Sequence, residues 1–138
     1  PPPLPTLFPY TTLFRSAKIM KLQGYEEPIG KAKITPAYNL PCDSVIHTVG
    51  PIAQGRLIKK HCELLKSCYQ SCLELAVQNG LKSIAFCCIS TGVFGFPQEK
   101  AAEIAVDTIR AFLKTYEIEV ICNVFTEEDF EIYKRSLG

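Results

Sequence analysis

The sequence predicts an α/β layered domain with a largely parallel central sheet. Residues 83–89 form a continuous apolar run, which is typical of a strand buried on both faces. Segments of strand length alternate along the chain with amphipathic segments of helix length. The chain has 138 residues and no internal repeat, which indicates one domain.

Short strands are expected in the first third of the chain. Residues 45–49 are mostly β-branched and lie between turn-forming residues, which predicts a strand. Residues 31–35 are predicted as another short strand, broken by Pro36. Upstream, residues 17–23 have helical composition and stop at Gly24, like the last turns of a helix.

Residues 58–78 are predicted as a helix because apolar side chains recur at helical spacing. Asn79 and Gly80 follow directly and are a common C-terminal stop. The expected apolar stripe consists of Ile58, Cys62, Leu65, Tyr69, Cys72 and Ala76.

A second helix is predicted to open at Pro97, because proline lacks an N–H that the first helical position does not need. A helix over this segment presents one apolar face to a core. The expected members of that face are Ala101, Ile104, Ala105, Thr108, Ile109, Phe112 and Leu113.

The C-terminal region is expected to add a strand at residues 119–125 and a final helix. Thr126 followed three residues later by Asp129 has the spacing of a capping box. We expect this last helix to bury Phe130, Tyr133 and Leu137.

Charge and cysteine content exclude several classes of protein. Fifteen basic and fourteen acidic side chains leave a net charge of +1, which removes the electrostatic argument for nucleic-acid binding. No apolar run approaches the roughly 20 residues that span a bilayer, so no membrane partner is expected. The seven cysteines are odd in number and contain no C-x-x-C pair. We therefore expect reduced thiols and a cytoplasmic location.

Residues 1–16 are predicted to lie outside the domain. Residues 1–5 are rich in proline, and residues 6–16 resemble the translation of a sequencing adapter. A disordered, proline-led extension is the alternative interpretation. We therefore expect the domain to comprise residues 17–138, with the natural sequence before Ala17 lost.

The strongest local pattern lies at residues 90–97, between the predicted buried strand and the helix that follows it. Ligands bind at this position in open α/β sheets. Gly92 and Gly95 lack Cβ atoms, so backbone N–H groups could approach an anion closely, and Ser90 and Thr91 add hydroxyl donors. The helix N-terminus adds about 0.3–1 kcal/mol for an anion. The pattern favours a phosphate cradle, with an ordinary glycine-containing turn as the alternative.

Several segments resemble macrodomains, a family that binds ADP-ribose. Residues 88–97, Cys-Ile-Ser-Thr-Gly-Val-Phe-Gly-Phe-Pro, are similar to the second phosphate loop of that family. Three earlier segments also match the family: residues 30–35, 38–41 and 45–51. Residues 86–92 and 123–125 resemble the zinc-containing branch of microbial protein-ADP-ribose hydrolases. The resemblance covers residues 17–138 and implies a three-layer α/β/α fold with a mixed, largely parallel central sheet.

The resemblance also implies roles for individual residues. The pyrophosphate and the distal ribose would lie against the backbone amides of Ser90, Thr91, Gly92, Val93, Phe94 and Gly95. Asn123 and Phe125 would flank the adenosine end of the ligand, with Phe125 offering an aromatic face. Phe125 has an alternative role as a hydrophobic staple packed on Phe130, and one ring could serve both purposes.

The chain departs from the family pattern before residue 30. It lacks an adenine-binding acidic residue, an asparagine-rich strand end, a glycine-rich first phosphate loop and the Cys/His cluster that holds zinc. We therefore expect the N-terminal strands to be missing, and zinc to be bound only by the full-length family member. The remaining candidate ligands are interpreted as core thiols and helix residues rather than as a metal site: His61, Cys62, Cys68 and Cys72.

These observations lead to one leading hypothesis. The parent protein is expected to bind ADP-ribose and to hydrolyse it from mono-ADP-ribosylated proteins with zinc assistance. No catalytic residue or metal ligand is assigned within this chain, so we expect it to have little or no hydrolase activity.

The alternatives are a non-catalytic ADP-ribose or nucleotide-binding module and an incomplete fragment without independent function. The expected partners are ADP-ribose or a mono-ADP-ribosylated protein, with no nucleic acid and no membrane. The intact domain is expected to be a monomer.

Overall fold

The computed structural model describes residues 28–37, 39–92 and 94–138. The predicted helical segment at residues 17–23 and the adapter-like segment at residues 6–16 lie outside this part of the chain.

The first two strands form an antiparallel pair. Strand β1 spans Ala32–Pro36 and strand β2 spans Ser44–Thr48, with Ile34 opposite Ile46. The predicted strands at residues 31–35 and 45–49 are confirmed with a shift of one residue, and Pro36 is tolerated at the end of its strand. His47 and Thr35 share a hydrogen bond of 2.9 Å across the pair.

Burial of the His47 ring and the nearby Lys33 charge both lower the pKa of His47. The neutral ring that results is suited to the interior of a strand pair. His47 therefore has the structural role of cross-linking β1 and β2.

Helix α1 spans Lys59–Gln78 and packs against β1, β2, β3 and the second helix. Its buried side chains are Leu65, Cys68, Tyr69, Cys72, Leu73 and Ala76. The predicted stripe is correct in its centre but not at its start, because Ile58 is 45% exposed and occupies the N-cap. The predicted stop is confirmed: the Asn79 amide donates to the Leu75 carbonyl at 3.1 Å, and Gly80 has φ +69°.

The second pair of strands is parallel. Strand β3 spans Ser83–Phe86 and strand β4 spans Glu119–Cys122, in register from Ser83 opposite Glu119 to Phe86 opposite Cys122. Both strands are shorter than the predicted segments at residues 83–89 and 119–125. Within the described residues the two strand pairs form separate small sheets rather than one mixed sheet.

Two further helices lie in the C-terminal part of the described residues. Helix α2 spans Gln98–Leu113, with Pro97 as its N-cap rather than its first residue. Most of the expected core face is buried, but Leu113 is exposed and Ala102 and Val106 are buried in addition. Helix α3 spans Glu127–Leu137 and packs on α2.

The predicted buried face of α3 is wrong for two of its three residues. Tyr133 is buried, but Phe130 and Leu137 are each 53% exposed, and Ile132 is buried instead. Asp129 lies on the buried face because Gln98 of α2 hydrogen-bonds it at 3.0 Å, which fixes the rotation of the helix.

The core lies between α1, α2 and the β3–β4 pair. The Tyr69 and Phe86 rings meet with their centroids 5.0 Å apart, an ordinary aromatic contact. All seven cysteines are free. In the part of the chain that the structure describes, no helix is long and apolar enough to cross a membrane.

Candidate functional site

A cleft of about 310 Å³ opens at the carboxyl ends of β3 and β4. Its walls come from the segments that directly follow the two strands and from the first turns of α2 and α3. The lining residues are Cys87, Cys88, Thr91, Gly92, Gln98, Asn123, Val124, Phe125, Thr126 and Asp129. Carboxyl ends of parallel strands are the usual position of ligand sites in α/β proteins.

Pairing of the strands brings the two walls together. Phe86 and Cys122 form the last pair of the β3–β4 register. One residue further on, the Asn123 amide donates to the Phe86 carbonyl at 2.7 Å. The Cys88 thiol reaches the Asn123 carbonyl at 3.8 Å. Residues that follow β3 and β4 therefore face each other across the cleft.

The loop after β3 closes on itself in a tight turn. The Gly95 amide donates to the Gly92 carbonyl at 3.0 Å, and the Phe96 amide donates to the Ser90 carbonyl at 2.9 Å. Gly95 has φ +71°, a conformation that favours glycine. The Phe96 side chain is buried and anchors the loop to the core.

Two residues of this loop line the cleft and have backbone amides that are unpaired within the described part of the chain. Thr91 and Gly92 both line it, and their N–H groups donate no hydrogen bond to any described residue. The Thr91 hydroxyl is occupied, because it donates to the Cys88 carbonyl at 3.3 Å. Unpaired backbone N–H groups in a concave loop are the donors that bind phosphate groups in many proteins.

The structure brings four of the predicted site residues together in one cleft. Thr91, Gly92, Asn123 and Phe125 line one cleft. The other described members of the loop, Ser90, Phe94 and Gly95, lie outside its lining, and Val93 is not among the described residues. The proposed contacts of all these residues with a ligand stay predictions.

Sequence reasoning included the N-terminus of α2 through its dipole but missed the side chains of Gln98 and Asp129, which line the cleft. Gln98 and Asp129 belong to the first turns of α2 and α3 and are joined by a hydrogen bond of 3.0 Å. Thr126 caps α3 by accepting the Asp129 amide at 3.1 Å, and its hydroxyl donates to the Asp129 carboxylate at 3.0 Å. The capping spacing of Thr126 and Asp129 was visible in the sequence, but nothing there linked it to Gln98.

Phe125 stands at the rim of the cleft with 80% of its surface exposed. Phe130 is also largely exposed, so the two rings do not form the packed contact that a hydrophobic staple requires. An exposed aromatic ring beside a cleft offers a stacking surface for a planar ligand group. The geometry thus favours the ligand-contact interpretation of Phe125.

The thiols near the cleft are protonated at neutral pH. Burial, with smaller contributions from Asp129 and Cys87, raises the pKa of Cys88 to about 11. Burial also raises the pKa of Cys122. Because the thiolate is the nucleophile and the metal ligand, neither group is activated for such chemistry.

Candidate zinc ligands do not converge within the described residues, where no group of three His, Cys, Asp or Glu side chains could hold a metal ion. The thiol of Cys68 donates to the Val49 carbonyl at 3.2 Å, and the ring of His61 accepts the Ile58 amide at 3.3 Å. Burial raises the pKa of Cys72 to about 12. These residues serve the helix and the core.

The fold and the cleft define the class of protein: an α/β domain that presents loop amides and an aromatic ring at the carboxyl ends of a parallel strand pair. The Macro domain family matches residues 9–105 of the chain. The chain therefore belongs to the Macro domain family.

Individual relatives agree with this membership. A protein-ADP-ribose hydrolase of Treponema medium is 56% identical over 124 residues, which is 88% of this chain and 48% of that protein. The chain spans about half the length of the curated relatives it matches.

Solved structures of macrodomains superpose well on the chain. The Oceanobacillus iheyensis macrodomain with ADP has a TM-score of 0.83 at 38% identity, covering 94% of this chain and 70% of that one. The Trypanosoma brucei macrodomain in complex with ADP-ribose has a TM-score of 0.73 at 37% identity, covering 80% of this chain and 47% of that one.

Proposed function

We propose that this chain binds ADP-ribose in the cleft at the ends of β3 and β4. The observation that carries the proposal is that Thr91 and Gly92, whose backbone amides are unpaired among the described residues, line one cleft with Asn123 and Phe125. The amides would hold the pyrophosphate, and the side chains of Asn123 and Phe125 would contact the adenosine end. Similarity to macrodomains solved with ADP and with ADP-ribose supports this assignment.

The geometry of the cleft is compatible with such a ligand. The volume of about 310 Å³ lies at the lower end of the range for small-molecule sites, so part of the ligand would extend over the rim. The exposed ring of Phe125 stands at that rim. The positive end of the α2 dipole favours an anion in the cleft. The dipole of α3 is offset by three acidic residues in its first turn.

For the longer protein, we propose hydrolysis of ADP-ribose from mono-ADP-ribosylated proteins, the activity that the name of the Treponema medium relative states. The groups of this chain at the cleft are better suited to binding than to proton transfer. Asp129 is buried and hydrogen-bonded by Thr126 and Gln98, and the Cys88 thiol is protonated. We therefore expect little or no turnover from the 138-residue chain, and detectable turnover abolished by a chelator would refute this expectation.

The same observations favour a second candidate function. A cleft with amide donors and an aromatic ring, but with an engaged carboxylate and protonated thiols, is sufficient for a non-catalytic ADP-ribose or nucleotide-binding module. The two candidates share the ligand and differ in turnover. Zinc assistance belongs to the first candidate only, and its ligands would have to come from outside the described residues.

Titration calorimetry with ADP-ribose tests the binding proposal. Gly92 is suited to substitution, because a Cβ atom built there meets nothing within 4 Å. Gly92→Glu places a carboxylate beside the proposed pyrophosphate. Two unit charges 4 Å apart near a protein surface repel each other by ~4 kcal/mol. Half of this repulsion weakens binding about thirtyfold, which is the smallest effect that we expect. Gly92→Ala adds the methyl group without the charge and should stay within about threefold of the wild type.

The outcomes separate the candidates. Micromolar binding that is lost only in Gly92→Glu supports the cleft as the site. No binding by the wild-type chain refutes the proposal and favours a fragment without independent function. Equal binding by both variants refutes the assignment of the pyrophosphate to this loop.

Finer properties follow from the family resemblance. We propose a domain over residues 17–138 with a three-layer fold and a mixed sheet, a monomeric state and a cytoplasmic location. A long read of the source DNA across the codons for Ser16 and Ala17 tests the proposed boundary, because a continuous genomic sequence there would refute the adapter explanation.

A further inference from the structure

A contact between two distant segments lies directly behind the proposed phosphate loop. Gly50 follows β2 and is buried against the start of the loop. A Cβ atom built on Gly50 would lie 2.1 Å from the Ser90 Oγ and 2.7 Å from the Ile89 Cγ2. Both distances are far shorter than real contacts, so any side chain at Gly50 would displace Ser90 or Ile89.

Ser90 is itself in an unusual state. It has φ +65°, the only non-glycine residue with positive φ in the described part of the chain. Such a conformation costs a serine energy and persists only where the surroundings impose it. The Ser90 Oγ is buried and has no hydrogen-bond partner among the described residues. The hydroxyl fills the space that Gly50 leaves, and does not line the cleft.

The same segment holds the loop at two further points. The Ala53 amide donates to the Phe94 carbonyl at 2.8 Å. Gln54 lies against Gly95, whose missing Cβ atom would meet the Gln54 Cγ at 3.1 Å and the Gln54 Cα at 3.3 Å. Residues 50–54 thus contact the loop at its start, its middle and its end.

We propose that residues 50–54 are the positioning element of the phosphate loop, and that Gly50 is a positioning residue that sets the Thr91 and Gly92 amides through Ser90. This inference rests on the proposed function for its consequence on ligand affinity. Gly50 allows Ser90 to take its left-handed conformation, which directs the chain from β3 into the turn closed by Gly92 and Gly95. A displacement of about 1 Å in a set of positioned binding groups is enough to remove a large part of their contribution to ligand binding.

Gly50→Ala tests the inference with two readouts in the 138-residue chain. The first is the set of NMR chemical shifts of the backbone amides of residues 90–95 in the free protein, which should differ from those of the wild type. The second is the dissociation constant for ADP-ribose, which should rise about tenfold or more. Ile58→Ala is the control, because Ile58 lies outside residues 50–54, is 45% exposed and should leave both readouts unchanged.

A second variant separates positioning from general damage to the core. Ser90→Gly removes the hydroxyl from the space beside Gly50 and suits φ +65°. The double variant Gly50→Ala/Ser90→Gly should therefore recover at least half of the lost affinity on a logarithmic scale. The recovery is partial because Ile89 stays close to the added methyl group.

Each outcome has a defined meaning. Unchanged resonances and affinity in Gly50→Ala overturn the inference and leave the proposed function standing. A wild-type chain that does not bind ADP-ribose refutes the proposed function, while the resonances still decide the positioning role. If Gly50→Ala does not fold, folding of the double variant supports the contact. If Ser90→Gly folds and the double variant does not, the inference is overturned.

Discussion

Replacement of Phe125 by alanine distinguishes a ligand contact from a structural contact at the rim of the cleft. A phenylalanine buries roughly 200 Å² when fully enclosed, and this ring is 80% exposed. Only about 40 Å² is therefore removed from water, worth at most about 1 kcal/mol of folding free energy. Stacking of a nucleobase on an aromatic ring is worth about 1–3 kcal/mol, which corresponds to a 5- to 160-fold change in affinity.

Two measurements on the same variant test this reasoning. Urea denaturation should show that Phe125→Ala lowers the free energy of unfolding by less than about 1 kcal/mol. Calorimetry should show that the dissociation constant for ADP-ribose rises at least fivefold. Phe130→Ala is the control, because Phe130 is also exposed but does not line the cleft. Unchanged affinity together with a larger loss of stability would show that Phe125 is a staple and that the ligand lies elsewhere.

Other substitutions and conditions give equally definite expectations. Thr126→Ala should lower the free energy of unfolding by about 2 kcal/mol in urea denaturation, because it removes the helix cap and a hydrogen bond to the buried Asp129. Thr126→Ser keeps the hydroxyl and should cost little. Equal losses of stability in the two variants would contradict this role of the hydroxyl. The raised pKa values of Cys72 and Cys88, about 12 and about 11, mean that these thiols ionise in the unfolded chain near pH 9 before they do so in the native one. Stability should therefore fall as pH rises from about 9 to 11, and a Cys88→Ala variant that declines as steeply as the wild type would refute this cause.

The helices and the strands were predictable from local pattern, but the strand ends were not. Residues 84–89 are apolar throughout, and the pattern cannot distinguish a residue buried by strand pairing from one buried by packing. Pairing ends at Phe86, and Ile89 is buried because it packs in the core beyond the last strand pair. The predicted strand was therefore three residues too long at its carboxyl end.

The rotation of α3 shows a second limit. Spacing alone favoured Phe130 as a buried residue, since it stands four positions after the predicted cap. In the structure, the hydrogen bond between Gln98 and Asp129 holds Asp129 on the buried face, and Ile132 is buried instead of Phe130. A contact between residues so distant in sequence leaves no local signal in the chain.

The candidate site was only partly predictable, because some of its contacts join residues that are distant in sequence. Glycine-rich composition after a buried strand marked Gly92, and the family resemblance marked Asn123 and Phe125. The role of Ser90 could not be judged from sequence, because its hydroxyl occupies the space left by Gly50, forty residues upstream. Gln98 likewise lines the cleft, where it is hydrogen-bonded to Asp129 of a different helix.

The bond between Gln98 and Asp129 has a thermodynamic consequence for any ligand of the cleft. It joins two residues 31 positions apart, so the loop-closure entropy of bringing α2 and α3 together is lost during folding and not on association. A ligand therefore meets walls that are already preorganised, and less of its interaction free energy is consumed in ordering the protein.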